Sequence, residues 1–319
     1  MEGLKDLLQG RKRLMLMCFA ILWIVGFHYS MYGNLLRFNV FEFLFGKGYL
    51  GVDIFFFLSA YGLCHSLTAH SLKEFYVRRL KRLYPLYLLY LLLFLGLFSK
   101  GYDVPWYKVL LFQTTGLMSF TNIDIEWFVP ALTVLYITFP LVFKAIEAIY
   151  KRGVLFSAII VAALSILNPF LNGFVFYLFP PRFVIIVVGI MTYLAIRDDN
   201  EQYLLTIYSL CAVLGLCYIG SDKINVSQTG SLILPALLYV IGMINIKVPS
   251  IKAIDFIGSH TLEIYLAQNL AFNHLISALP FPFYANSIVA FGLVVVCSAL
   301  LILFQKIFYA SVAKSIKNA

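Results

Sequence analysis

Apolar stretches about as long as a bilayer's hydrocarbon core is thick recur along nearly the whole chain, separated by short polar segments. A helix needs about 20 such residues to cross. The pattern predicts ten spans, at 14–33, 49–69, 84–100, 126–146, 153–170, 180–196, 203–220, 229–246, 257–279 and 286–308. The sixth has the least sharply marked start, because Pro180 and Pro181 stand at its head and Gly173 to Phe179 before it are themselves apolar. Pro85 heads the third span, where a proline costs no helical hydrogen bond. Between the second and third spans, Phe75, Leu80 and Leu83 alternate with Arg78, Arg79, Lys81 and Arg82. That alternation predicts a short interfacial helix against anionic headgroups. The same residues also read as a plain topological signal.

Composition narrows the class. Of 319 residues, 62% are hydrophobic and 12% charged, and the mean hydropathy is +0.90. A soluble domain carries roughly 45–50% apolar and 25% charged residues. The expectation is therefore an all-α, polytopic transmembrane helical bundle forming one domain over 1–319, with a basic segment 1–13 and a tail 309–319 both in the cytoplasm. The net charge of +9 does not point to nucleic acid. If the N-terminus is inside, 18 of the 24 Lys and Arg residues fall on the inner side of the ten spans, and Arg37, Lys47, Lys100, Lys108, Arg182 and Lys223 fall outside. The charge thus sets topology, and the partner it implies is the lipid bilayer of the cell (inner or plasma) membrane. The run after Arg13 is of span length without a small-residue cleavage site, so it reads as a retained first helix. The five cysteines lie in or at the ends of apolar segments without metal-ligand spacing, and no metal is expected. No internal repeat is visible, which weighs against a transporter built from inverted halves.

An ionisable side chain at a span's centre costs about 2.5–3.5 kcal/mol on insertion scales, so each one there marks a functional candidate. Five qualify: His28, Asp53, Glu126, Arg182 and Glu263. At about 1.5 Å per residue, His28 and Asp53 lie roughly 7 Å below the outer ends of their spans. Glu126 and Arg182 also sit at outer ends, so four of the five share one layer. Structural alternatives stand beside each. His28 reads equally as a satisfied helix-end residue, Asp53 and Glu126 as helix caps, and Arg182 as a snorkelling cation. Arg78, Arg79 and Arg82 have the fork geometry that grips phosphate. Trp106 and Tyr107 fit either a sugar platform or an interfacial aromatic belt.

Three blocks resemble the acyltransferase-3 family of membrane O-acyltransferases. LMCFAILWIVGFHYS at 16–30 is similar to the family's first helix, whose essential histidine maps to His28. GYLGVDIFFFLSAYGL at 48–63 resembles its G-x-x-G-V-D signature, and FYVRRLKRLYPLY at 75–87 its R-R-x-x-R element. Weaker echoes are WFVPALTVLYITFP from Trp127, FPPRFVIIVVG from Phe179 and IGSHTLEIYL from Ile257. There are departures. Met17 stands where the family usually carries an arginine, with Arg13 one turn back; Ala60 replaces a glycine; Gln268 stands where many members have a histidine.

The resemblance implies transfer of an acyl group, usually acetyl, from cytoplasmic acetyl-CoA or another acyl-CoA to a hydroxyl of a cell-surface or lipid-linked glycan. The acyl-CoA is a donor substrate, and no bound cofactor is expected. His28 would be the base, its ordinary pKa of about 6.5 suiting the task. Asp53 or Glu126 would hold its tautomer as the third member of a triad does. Arg78, Arg79 and Arg82 would grip the CoA phosphates, and Ser59, Trp127 and Arg182 would contact substrate. The basic clamp and His28 lie on opposite sides of the bilayer, so either the pantetheine arm threads inward or an acyl-histidine relay operates. A glycan or lipid exporter and a non-catalytic relative remain alternatives, and association into a homodimer is left open.

Overall fold

The structure, a computed structural model, describes residues 1–32, 44–98, 104–117, 126–171, 180–219, 226–244, 251–272 and 283–317. Arg37, Lys100, Lys223, Lys247, the stretch 173–179 and the 273–279 part of the ninth predicted span lie outside them. In chain order the helices are α1 (Glu2–Leu7), α2 (Gly10–Tyr32), α3 (Leu50–Ala69), α4 (Leu72–Phe98), α5 (Trp106–Thr115), α6 (Phe128–Lys151) and α7 (Val154–Leu171). They continue as α8 (Pro180–Arg197), α9 (Glu201–Ile219), α10 (Val226–Ile244), α11 (Lys252–Ser259), α12 (Thr261–Leu270) and α13 (Phe283–Lys317). No strand occurs among the described residues.

Five of these helices are long and apolar enough to cross a membrane, at Gly10–Ser30, Leu50–Ala69, Leu72–Leu97, Phe128–Lys151 and Ile288–Val312. Shorter apolar helices occupy Val154–Leu167, Glu201–Cys217 and Leu232–Ile244. The bundle turns large apolar side chains outward, among them Leu92, Leu97, Leu141, Leu155, Leu216 and Val295. That is the surface a hydrocarbon solvent requires. At the centre, α8 is buried on every side from Val184 to Ala195, which is why its sequence is apolar all round. It lies against α3, where a Cβ added to Gly189 would stand 3.0 Å from both Ala60 Cβ and the Phe57 carbonyl oxygen.

Polar contacts gather the predicted inner segments at one end of the bundle. The Met1 ammonium pairs with Glu201 at 2.7 Å, Arg11 grips Asp255 with two bonds of 3.0 and 2.7 Å, and Arg197 reaches Glu147 at 3.0 Å. Segment 1–13 is no loose extension. Leu4, Leu7 and Leu8 are buried, and Gly3 and Gly242 let α1 and α10 cross so closely that a Cβ on Gly3 would collide with the Gly242 carbonyl oxygen.

Two elements differ from the sequence expectation. The interfacial segment and the third span are one helix, α4, with Pro85 inside it rather than at its start. A proline deprives the carbonyl four residues back of its helical donor. Here that carbonyl belongs to Lys81, and the Tyr309 hydroxyl from α13 donates to it at 2.9 Å. The ninth predicted span is broken at His260, whose φ of −115° and ψ of 35° leave the helical region. The His260 Nδ1 lies 2.8 Å from the Phe256 carbonyl oxygen, a local bond that competes with helix continuation. The break frees α11 to lie on α2, where a Cβ on Gly258 would collide with the Leu14 carbonyl oxygen. It also starts α12 afresh as a separate buried helix.

Candidate functional site

A cavity of about 260 Å³ opens between α2, α3, α4, α6 and α12. Its basic end is made by Arg13 in the first turn of α2 and by Arg79 and Arg82, three residues apart on one face of α4. The guanidinium charges act on one another. Gly62 of α3 admits the first, since a Cβ there would stand 3.3 Å from Arg13 Nη2. The Arg79 guanidinium lies 5.6 Å from the Phe75 ring centroid and 6.0 Å from that of Tyr136. Among the described residues none of the three makes an ion pair with a carboxylate, and the buried Nε atoms of Arg13 and Arg79 have no hydrogen-bond partner. Arg13 and Arg79 are half-buried and Arg82 is exposed, and with only the Glu263 carboxylate in electrostatic reach among the described residues this concentration of positive charge suits an anionic ligand.

Further along the cavity, Ser59, Tyr136 and Thr261 bring hydroxyl groups to the wall, with Met17 beside them. Phe55, Phe128 and Tyr265 line its deeper part, Phe128 and Tyr265 with ring centroids 4.9 Å apart. The arrangement suits a ligand with a polyanionic head and a narrower, less polar arm. Of the expected phosphate grips, Arg79 and Arg82 reach this cavity and Arg78 does not. Arg78 is exposed, because a residue next to Arg79 on a helix projects about 100° away from it. Arg13 takes the third place instead. The sequence signal for this was present, since Arg13 lies one turn before Met17 and both line the same wall.

Beyond Tyr265 lies the polar layer. The Tyr265 hydroxyl donates to Glu126 Oε1 at 2.8 Å, while the Glu126 carboxylate accepts the backbone N–H groups of Phe128 at 2.7 Å and Val129 at 2.9 Å. The Glu126 carboxylate, one residue before the N-cap Trp127, therefore closes off the start of α6, where unsatisfied N–H groups and the helix dipole favour an anion. Asp53 and Arg182 form an ion pair at 3.2 Å with side chains 1% and 3% exposed, and the guanidinium sits 5.1 Å above the Trp127 ring. Ser59 thus lies in the cavity, whereas Trp127 and Arg182 belong to this layer. Two further bonds cross it, from Tyr90 to Asn269 at 2.7 Å and from Tyr87 to Gln113. Glu263, the fifth intramembrane ionisable group, is buried nearer the basic end, within reach of the charges of Arg82 and His260.

His28 is half-buried on α2, and the side chain facing its ring is Gln268 of α12. The expected carboxylate partner is not at its side. Among the described residues no hydrogen bond or ion pair joins His28 to Asp53 or Glu126, whose carboxylates serve Arg182 and the α6 N-terminus respectively. A guanidinium and a helix N-terminus both hold a buried carboxylate more firmly than a neutral imidazole can. The position of Gln268 places it three residues past Tyr265, so α12 leads from the deep part of the cavity to His28. That step is about 4.5 Å along the helix axis. Sequence reasoning singled out neither Tyr265 nor Gln268 as a site residue, although Gln268 and Asn269 are conspicuous as consecutive amides within an apolar run.

A family model described as an acyltransferase domain matches residues 16–304. No curated protein and no solved structure matches the chain.

Proposed function

This chain belongs to the acyltransferase-3 family of membrane proteins, and from that premise we propose that it moves an acyl group, acetyl by preference, from a cytoplasmic acyl-CoA to a hydroxyl of a surface or lipid-linked glycan. The observation that carries the reading is the convergence of Arg13, Arg79 and Arg82, none ion-paired to a described carboxylate, on one cavity that runs into the bundle as far as Phe128 and Tyr265. In this reading the three guanidiniums hold the donor's phosphates at the basic end. The pantetheine arm follows Ser59, Thr261 and Tyr265 inward.

His28 takes the proton of the acceptor hydroxyl as its oxygen attacks the thioester carbonyl. The carbon–sulfur bond then breaks, the acyl group stays on the oxygen, and CoA leaves as the thiolate, which regains a proton. The Asp53–Arg182 pair and the Glu126 carboxylate shape the acceptor side without entering the proton transfer.

The test is purified protein in liposomes with labelled acetyl-CoA on one side or the other, a panel of glycan acceptors, and release of CoA thiol as readout. Release that requires both an acceptor and His28, and is lost in His28→Ala, supports the reading. Binding of CoA without release under any acceptor identifies a non-catalytic relative. Absence of CoA binding returns the exporter reading.

A further inference from the structure

We propose that Phe128 and Tyr265, both tied to one oxygen of Glu126, form a closed floor to the basic cavity and restrict its acyl-CoA donor to short acyl groups. The proposal rests on the reading of this cavity as the donor site. The walls give its depth. On α3 the lining runs from Leu63 to Phe55, and on α6 from Tyr136 to Phe128. At about 1.5 Å per residue, each stretch is about 12 Å long. Both begin beside the guanidiniums, since a Cβ on Gly62 would stand 3.3 Å from Arg13 Nη2 and the Tyr136 ring centroid lies 6.0 Å from the Arg79 guanidinium. An extended chain advances about 1.2 Å per bond, so a pantetheine arm of about a dozen bonds between phosphate and sulfur reaches about 15 Å. With the phosphates on the three arginines, the thioester comes down to the level of Phe55 and Phe128, and the acyl group has only the space the floor leaves.

That floor is fixed in two ways. Glu126 Oε1 accepts the Phe128 backbone N–H at 2.7 Å and the Tyr265 hydroxyl at 2.8 Å, so a single carboxylate oxygen joins the two residues across α6 and α12. The rings then lock together. The Phe128 centroid lies 4.9 Å from that of Tyr265, 6.3 Å from that of Phe55 and 5.5 Å from that of the fully buried Phe56. Behind it stands Trp127 at 6.0 Å, itself held 5.1 Å beneath the Arg182 guanidinium. Rings packed to this extent do not swing aside to admit extra atoms without displacing their neighbours. A pocket wall of this kind discriminates one surplus methylene by roughly 10- to 200-fold. Glu126, which the proton transfer does not use, is thereby a positioning residue for the floor.

The experiment is competition of acetyl-, butyryl- and hexanoyl-CoA against labelled CoA on the detergent-solubilised full chain. Wild type is expected to hold hexanoyl-CoA at least about 20-fold more weakly than acetyl-CoA, with butyryl-CoA between them. Phe128→Ala, which removes the ring, is expected to bring that ratio below about 5-fold. Phe128→Leu, a milder change that guards against poor folding of the Ala variant, is expected to halve the ratio or more. Tyr265→Phe keeps its ring and loses the bond to Glu126, and the ratio is expected to fall at least about 2-fold. Leu141→Ala, on the lipid-facing side of α6, leaves the wild-type ratio in place.

Equal affinity of wild type for acetyl- and hexanoyl-CoA overturns the proposal. So does a wild-type ratio that persists unchanged in Phe128→Ala, Phe128→Leu and Tyr265→Phe, which puts the limit on acyl length elsewhere. Failure of wild type to bind labelled CoA at all removes the donor reading and this proposal with it. Binding of CoA without discrimination by acyl length removes this proposal alone, so the two failures are distinct.

Discussion

Asp53 and Arg182 face each other at 3.2 Å in the interior of the bundle, one from the first turn of α3 and one from the first turn of α8. Each charge offsets the other in the interior. Removing one partner of a buried pair strands its counterpart at a cost of about 3–5 kcal/mol. Asp53→Ala and Arg182→Ala are each expected to lower thermal stability in detergent sharply, while the double variant loses clearly less than the sum. Additive losses would show that the two side chains do not sustain one another.

Pro85 and Tyr309 form a second testable unit. Tyr309→Phe removes the hydroxyl donated to the Lys81 carbonyl, at an expected cost of about 0.5–1.5 kcal/mol. Pro85→Ala supplies the missing backbone donor from within α4. In the Pro85→Ala background the Tyr309→Phe change is therefore expected to be close to neutral in a double-mutant cycle of unfolding midpoints. A full-sized loss in both backgrounds would mean that the tyrosine acts through packing.

The turn between α8 and α9 has an acid limb. Hydrogen bonding from Arg197 to Asp198, at 2.8 and 3.3 Å, holds the Asp198 carboxyl below its ordinary range. A carboxyl lowered on folding contributes stability above its unfolded value of about 3.9, and that contribution is lost as pH falls through the lower folded value. Wild type should therefore lose more stability than Arg197→Ala between about pH 4 and pH 2. The site is largely exposed, so the difference should stay below about 1 kcal/mol. Parallel curves for the two proteins would contradict it.

The spans were legible because a bilayer demands long apolar runs, and among the described residues eight of the ten predicted segments overlap a long or short apolar helix. Pro85 and His260 were not legible as they stand. Whether a proline is tolerated inside α4 depends on Tyr309, more than two hundred residues away, and the break at His260 depends on a ring-to-carbonyl contact and on the fit of Gly258 to α2. The site divides in the same manner. Arg79 and Arg82 could be placed from the periodicity of one helix, and the shared layer of Asp53, Glu126 and Arg182 from depth alone. The pairing within that layer could not, because depth does not say which carboxylate meets the guanidinium and which meets a helix N-terminus. Arg13 was legible only as a spare charge one turn before Met17, and Gln268 only as a departure from a pattern.

The most direct measurement is equilibrium binding of CoA to detergent-solubilised protein, comparing wild type with Arg13→Ala, Arg79→Ala and Arg78→Ala. Each lost charge-assisted contact to phosphate is worth about 1.5–3 kcal/mol, roughly 10- to 150-fold in affinity. Arg13→Ala and Arg79→Ala are expected to weaken binding at least 10-fold, and Arg78→Ala to stay within 2-fold of wild type. Equal effects at all three positions, or no CoA binding by the wild-type protein, would contradict the assignment of this cavity to the acyl donor.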